Sequence, residues 1–181
     1  MTDRIFAAFL HEQNRAGLEL AAESDLLDLI PGGPPGQPPD HYLARFSCRG
    51  LVRDRGGEVR EAESFMVGIR FPSDYLLRVR VPEVVWWLDP ITVFHPNVTS
   101  GMSPGFICLG RVTPGTSLVS IIQQVFDIIT YKKVTYREDD AINRDACTWT
   151  RANKNRLPID DRPLRRRRLV LNVERLAEGR T

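Results

Sequence analysis

An α+β domain with an N-terminal helix, a four-stranded antiparallel meander and C-terminal helices is what this sequence predicts, on three observations. Ile5, Phe6, Phe9, Leu10, Leu18, Leu20 and Ala21 recur at helical spacing near the start. Tyr42, Ala44, Phe46 and Cys48 alternate with Leu43, Arg45 and Ser47, and Phe65, Val67, Ile69 and Phe71 repeat the two-residue period. Leu118, Ile121, Ile122, Val125, Ile128 and Ile129 then fall on one face of a helix. Strands gathered between helices, without βαβ alternation, argue for α+β.

The elements follow in order. Asp3 is placed to cap the first helix, and Ser24 and Asp25 to cap a second short turn over 26–30. PGGPPGQPPD then ends any helix. Residues 1–30 thus read as a helical segment packed on the core, 31–41 as a Pro/Gly loop, 42–157 as the core and 158–181 as a basic extension. Gly56-Gly57 marks a hairpin turn between strands 42–48 and 65–71. Strands over 76–81 and 83–88 extend the meander, with Trp86 and Trp87 on opposite faces. Cys48 lies on an apolar face and reads as core. Ser117 or Thr116 caps the central helix, and 131–137 is an irregular connection. Asp140 is expected to cap a last helix carrying Ile142, Ala146 and Trp149 inward, with Cys147 given no role.

Composition narrows the class. The chain has 181 residues, 42% of them hydrophobic and 27% charged, which suits one globular domain with short extensions. Its net charge of +2 names no partner. Three cysteines without a CxxC pair argue against a disulfide framework and a zinc site, and for a reducing compartment. With neither a signal pattern nor a membrane-length apolar run, a cytoplasmic protein is expected, with no membrane partner. Arg165 to Arg168 form a basic run that reads as a solvated tail or as a surface for an acidic partner. The absence of interleaved aromatics argues against nucleic acid.

Chemistry concentrates in FHPNVTSGMSPGFICL, residues 94–109. Cys108 ends a Gly/Pro/Ser-rich loop, where a thiol can be reached, although a buried cysteine at a strand end fits the same pattern. His95 and Pro96 form a turn, with His95 a satisfied polar group and not a base. Asn97 offers a side-chain amide to the same loop.

Around this stretch IRFPSDY, PEVVWW, HPN, ICLG, TPGTSLVSIIQQVFDII and DDAINRDA occur in that order. The set resembles the ubiquitin-conjugating enzymes, whose FPxDYP, Pro-x-Val, HPN, IC(L), Ser-Pro-x-Leu and DPLN-x-x-A segments share the sequence; the resemblance covers residues 42–155. The chain departs from that pattern in a longer loop between Asn97 and Cys108, in Leu76 for a proline, in a missing Pro-Pro pair, and in Val112 near an expected tryptophan. Gly115-Thr116 also stand where Ala-Leu is common. These departures fall on the ligase-contact loops and are similar to those of conjugating enzymes from bacterial ubiquitin-like operons.

The resemblance implies a ubiquitin-conjugating fold and two acyl transfers. Cys108 would take a ubiquitin-like protein from an activating enzyme as a thioester and pass it to an amine of a protein substrate, a lysine by expectation. Partners would be the activating enzyme, the ubiquitin-like protein, the substrate and, if the loops allow, a ligase. The N-terminal helix would dock the activating enzyme or merely cover the sheet. ATP would be used by the activating enzyme, with no cofactor on this chain. Asn97 would stabilise the oxyanion or hold the loop, and Asp140, with Asp139 beside it, would orient the amine or cap the helix. A phosphatase loop would need Arg where Pro114 stands, and His95 is held in a turn, away from a papain-like pairing. The competing class is a non-catalytic module of the same fold that binds a ubiquitin-like protein; the retained Cys108 and HPN favour the enzyme.

Overall fold

The computed structural model describes residues 4–166. Asp3, expected as a cap, Arg167 and Arg168 of the basic run, and the remainder of the extension lie outside the described residues. Helix α1 (Arg4–Ala22) turns Phe6, Leu10, Gln13, Gly17 and Leu20 inward, a spacing of three and four that makes one stripe. Its outer face carries Arg15 between Glu12 and Glu19.

Seven strands follow among the described residues: β1 (Leu27–Gly32), β2 (His41–Phe46), β3 (Gly50–Arg53), β4 (Val59–Ala62), β5 (Phe65–Arg70), β6 (Val85–Asp89) and β7 (Gly105–Phe106). Strands β1, β2, β5, β6 and β7 make one antiparallel sheet in that order, and β3 pairs with β4 as a separate ribbon. The inner face of the sheet buries Tyr42, Ala44, Phe46, Phe65, Val67, Ile69 and Trp87. Across it lies α3 (Leu118–Ile129), whose Phe126 stacks on Phe46 at 6.5 Å. Each large side chain fully buried there contributes about 1.5–3 kcal/mol. On the outer face Trp86 lies over Gly68, where a Cβ would come within 2.3 Å of the indole nitrogen. The two tryptophans therefore face opposite ways, as strand geometry requires.

Helix α1 is locked to α3 as well as covering the sheet edge. Gln13 is buried, and its Oε1 accepts the backbone N–H of Leu118 at 2.8 Å, one of the orphan donors of the α3 N-terminus. Ser117 caps the same end, its Oγ accepting from Ser120 N at 3.1 Å.

Several expectations are overturned. Residues 27–32 form a strand, not a helical turn, because Leu27 and Leu29 point inward while Asp28 and Ile30 point out. Ser24 instead accepts the Leu26 N–H in a turn. Only the middle of the 31–41 loop is a loop, since β1 runs to Gly32 and β2 starts at His41. Gly56-Gly57 turns β3 into β4, while β2 and β5 pair without it. Residues 76–81 are not a strand: the main chain turns on Asp74, and Pro82 sits in the first turn of a one-turn helix, α2 (Val81–Val84), where its missing N–H costs nothing. The meander of four strands thus becomes a sheet of five, with β1 and β7 at its edges.

Asp140 does not cap the last helix. It ends a 3₁₀ turn, Glu138–Asp140, and Asn143 caps α4 (Arg144–Ala152), its Oδ1 accepting from Ala146 N at 3.0 Å. Ile142 consequently precedes the helix and is exposed, whereas Ala146 is buried under it. Beyond α4 the chain is not a solvated tail as far as Arg166. Asp160 and Leu164 are buried, Asp160 accepts from Arg49 N at 3.1 Å and pairs with Arg162, and Arg165 and Arg166 pair with Glu23 and Asp25.

Candidate active site

The His-Pro-Asn turn is held from below by α3 and from the side by α4. Phe94 N donates to Leu51 O at 2.9 Å, and Phe94 O accepts the hydroxyl of Tyr131 just after α3. Tyr131 sits at φ 58°, a left-handed conformation costing a non-glycine residue about 1–3 kcal/mol. Its burial, its bond to Phe94 and the edge-on contact of its ring with His95 at 4.4 Å hold it there.

His95 is buried, and its Nδ1 accepts the N–H of Asn97 at 3.0 Å. That bond leaves the ring proton on Nε2, and burial pushes the pKa down to about 3, so the imidazole is neutral and no base. The expectation of a fully satisfied histidine holds for one nitrogen alone, since Nε2 has no partner. Pro96 is buried too, and its carbonyl accepts from Asn143 N at 3.1 Å, tying the turn to the cap of α4.

Asn97 bridges two strands of chain. Its Oδ1 accepts from Thr135 N at 3.0 Å, and its Nδ2 donates to Thr135 Oγ1 at 2.9 Å and to Cys108 O at 3.3 Å. Its backbone O accepts from Cys108 N at 2.8 Å. The long loop between them closes as a hairpin, with Val98 bridging Ile107 and Thr99 N donating to Phe106 O at 3.0 Å. Cys108 is thereby held opposite Asn97.

Cys108 is half-buried and borders a groove of about 400 Å³. The groove is lined by Val81 and Pro82 of α2, by Phe106, Ile107, Leu109 and Gly110 on either side of the thiol in sequence, and by Ile142. Cys108 is the one reactive group among these lining residues. Lys133 Nζ donates to the carbonyl of the lining residue Leu109 and to Gln124 Oε1. Asp139 and Asp140 are exposed on the turn that leads to Ile142; Asp140 reaches Arg137 at 3.5 Å, and no contact joins either carboxylate to Cys108.

The other thiols are structural. Burial pushes Cys48 up to about 12, and Cys147 is also raised by burial, with its Sγ donating to Thr135 O at 3.4 Å. Among the described residues no cluster of three or more His, Cys, Asp or Glu is placed to hold a metal ion, and no helix is long and apolar enough to cross a membrane.

His95, Pro96, Asn97 and Cys108 therefore form one constellation, with Asp139 and Asp140 on its flank. Thr135, Tyr131 and Lys133 belong to it and carry no sequence signal, because each reaches the site from the 131–137 segment that reads as connection; Ile142, expected inward on the last helix, borders the groove from the turn before it. Pro82-Glu83, a proline and an acid at a helix start, was the available clue to α2. No family model matches the chain, and no curated protein matches it.

Proposed function

We propose that this chain is a ubiquitin-conjugating-like enzyme that carries a ubiquitin-like protein as a thioester on Cys108 and delivers it to an amine, a lysine of a protein substrate in the first instance. The observation that carries this reading is the pairing of a half-buried Cys108 with the Asn97 backbone and side chain at the mouth of an open groove. The ordered motifs of the ubiquitin-conjugating enzymes, and an α+β core with one helix before the sheet and two after it, agree with that fold.

In this mechanism the Cys108 thiol gives up its proton to solvent, and its thiolate attacks the thioester carbonyl of the charged activating enzyme. A new C–S bond forms as the old one breaks, expelling a thiolate that takes up a proton in turn. An amine, having lost a proton to solvent, then attacks the Cys108 thioester. A C–N bond forms, the C–S bond breaks, and the released Cys108 thiolate takes up the second proton shed by the amine. Negative charge grows on the carbonyl oxygen, and the Asn97 amide, which already donates to Cys108 O at 3.3 Å, is the side-chain donor offered to it. Asp140 and Asp139 stand on a turn tied to Pro96 through Asn143 and would orient the incoming ammonium. The activating enzyme uses ATP; this chain needs no cofactor for either step.

The test is a non-reducing gel with ATP, a candidate activating enzyme and its ubiquitin-like protein. The parent is expected to give a thiol-sensitive adduct, Cys108→Ser a thiol-resistant one and Cys108→Ala none. An activating enzyme that charges itself yet leaves the parent unloaded, while the ubiquitin-like protein still binds the chain, would favour the non-catalytic module.

A further inference from the structure

We infer that this chain builds its positive surface from arginine so that an acyl group on Cys108 is not spent on the chain itself and waits for a lysine amine of another molecule. This rests on the acyl-carrier reading of Cys108. The sequence holds 25 lysines and arginines, yet lysine stands only at Lys132, Lys133 and Lys154. Both side chains carry one positive charge, so solubility and ion pairing do not separate them. Nucleophilicity does. At pH 8 about 0.4% of free lysine amines are neutral and able to attack a thioester, whereas a guanidinium stays protonated.

The placement follows the same division. The exposed cations next to the groove-lining residues are arginines: Arg80 precedes Val81, Arg111 follows Gly110, and Arg144 shares a second pocket with Ile142. Arg137 lies against Asp140 at 3.5 Å, on the flank that would attract an incoming ammonium. Each lysine is held elsewhere or tied down. Lys132 lies over the ring of Phe126 at 4.9 Å, where Phe126 stacks on Phe46 of the sheet. Lys154 lies over the ring of Tyr136 at 5.8 Å, beyond the far end of α4. Lys133 is the one amine beside the thiol strand, and Leu109 O and Gln124 Oε1 both accept from it.

A lysine in one of the arginine positions at the groove would have a short route to the acyl group. Its neutral amine attacks the carbonyl carbon of the Cys108 thioester, a C–N bond forms as the C–S bond breaks, and the released thiolate takes up the proton that the nitrogen sheds. The experiment loads the full chain with the 2-mercaptoethanesulfonate thioester of N-acetylglycine, removes the excess by desalting, and follows intact mass at pH 8 with and without added thiol. The parent is expected to carry one acyl group that thiol removes completely, and Cys108→Ala none. The double variant Arg111→Lys, Arg144→Lys is expected to move the group to a new lysine as a thiol-resistant adduct, about tenfold faster than the parent does to any lysine of its own. Arg45→Lys, on the outer face of β2 and three strands from β7, is expected to behave like the parent. Iodoacetamide is expected to alkylate Cys108 of each variant within about twofold of the parent rate, so that the thiol itself is unchanged. A thiol-resistant adduct on Lys132, Lys133 or Lys154 of the parent, a double variant that stays thiol-sensitive, or an equal gain in Arg45→Lys would overturn the inference and leave the acyl-carrier reading standing. A parent that takes up no acyl group on Cys108 would overturn both.

Discussion

Both hydrogens of the Asn97 amide are engaged, one by Thr135 Oγ1 and one by Cys108 O, so in the resting chain the residue holds the 131–137 connection against the thiol strand. The sequence left open whether Asn97 stabilises charge or holds the loop, and the geometry supplies the second role before any substrate arrives. His95 is a sharper case, because its environment has a measurable consequence. The folded imidazole resists protonation until about pH 3, whereas an unfolded one titrates near 6.5. The unfolded state therefore binds the extra proton as pH falls, so stability is full above 6.5 and is lost progressively below it. Urea unfolding is expected to lose roughly 2 kcal/mol between pH 6.5 and 5, above the range where carboxylates titrate, and His95→Gln is expected to flatten that slope. A parent curve already flat over this interval would mean that the imidazole is protonated in the fold.

At the scale of elements, the helices with strong periodicity are where the sequence says they are, and the caps separate what is local from what is not. Ser117 caps α3 at one of the two positions expected from the sequence. For α4 the expectation falls on Asp140, with Asp139 beside it, and misses Asn143 three residues on, although Asn143 is as good a cap by type. Asn143 takes the role because its own N–H is claimed by Pro96 O, which sets the chain direction at the start of the helix. Asn143→Ala is expected to cost about 1 kcal/mol in thermal or urea unfolding. Asp140→Ala is expected to stay within about 0.5 kcal/mol, its partner Arg137 being a surface residue. The reverse ranking would restore Asp140 as the cap and remove it from the flank of the thiol.

The whole molecule is closed by its C-terminal return. Asp160 is 1% exposed and gathers the Arg162 guanidinium and the backbone N–H groups of Arg49 and Arg162. The Arg162 hydrogen bonds, with help from those N–H groups, hold its carboxyl well below the usual carboxylate range. A depressed carboxyl stabilises the fold above its unfolded pKa of about 3.9 and loses that contribution as pH falls through the folded value. Asp160→Asn is expected to lower stability by about 1–3 kcal/mol at pH 7, since a buried acceptor of several donors is weakened. The deficit relative to the parent is expected to shrink below pH 4, and a deficit that stays constant with pH would rule out the charge as its source. Arg165 and Arg166, read from sequence as part of a free basic run, are matched by Glu23 and Asp25 at the end of α1. They are therefore poor candidates for a nucleic-acid surface.

The α+β class, the first and central helices, the β2 and β5 strands, the burial of Cys48 and the pairing of Cys108 with the His-Pro-Asn turn could all be read from the chain, because each rests on a short period or a turn chemistry contained within a few residues. The edge strands, the true cap of α4, the bracketing of Asn97 by Thr135, the clamp of Tyr131 on the turn and the fold-back of residues 158–166 could not. Each of these depends on a partner far along the chain: β1 forms where β2 offers an open edge, Thr135 matters where Asn97 reaches it, and Asp160 is buried where Arg49 and Arg162 meet it. Local propensity names the residues able to fill such places, and only the packed chain decides which of them does.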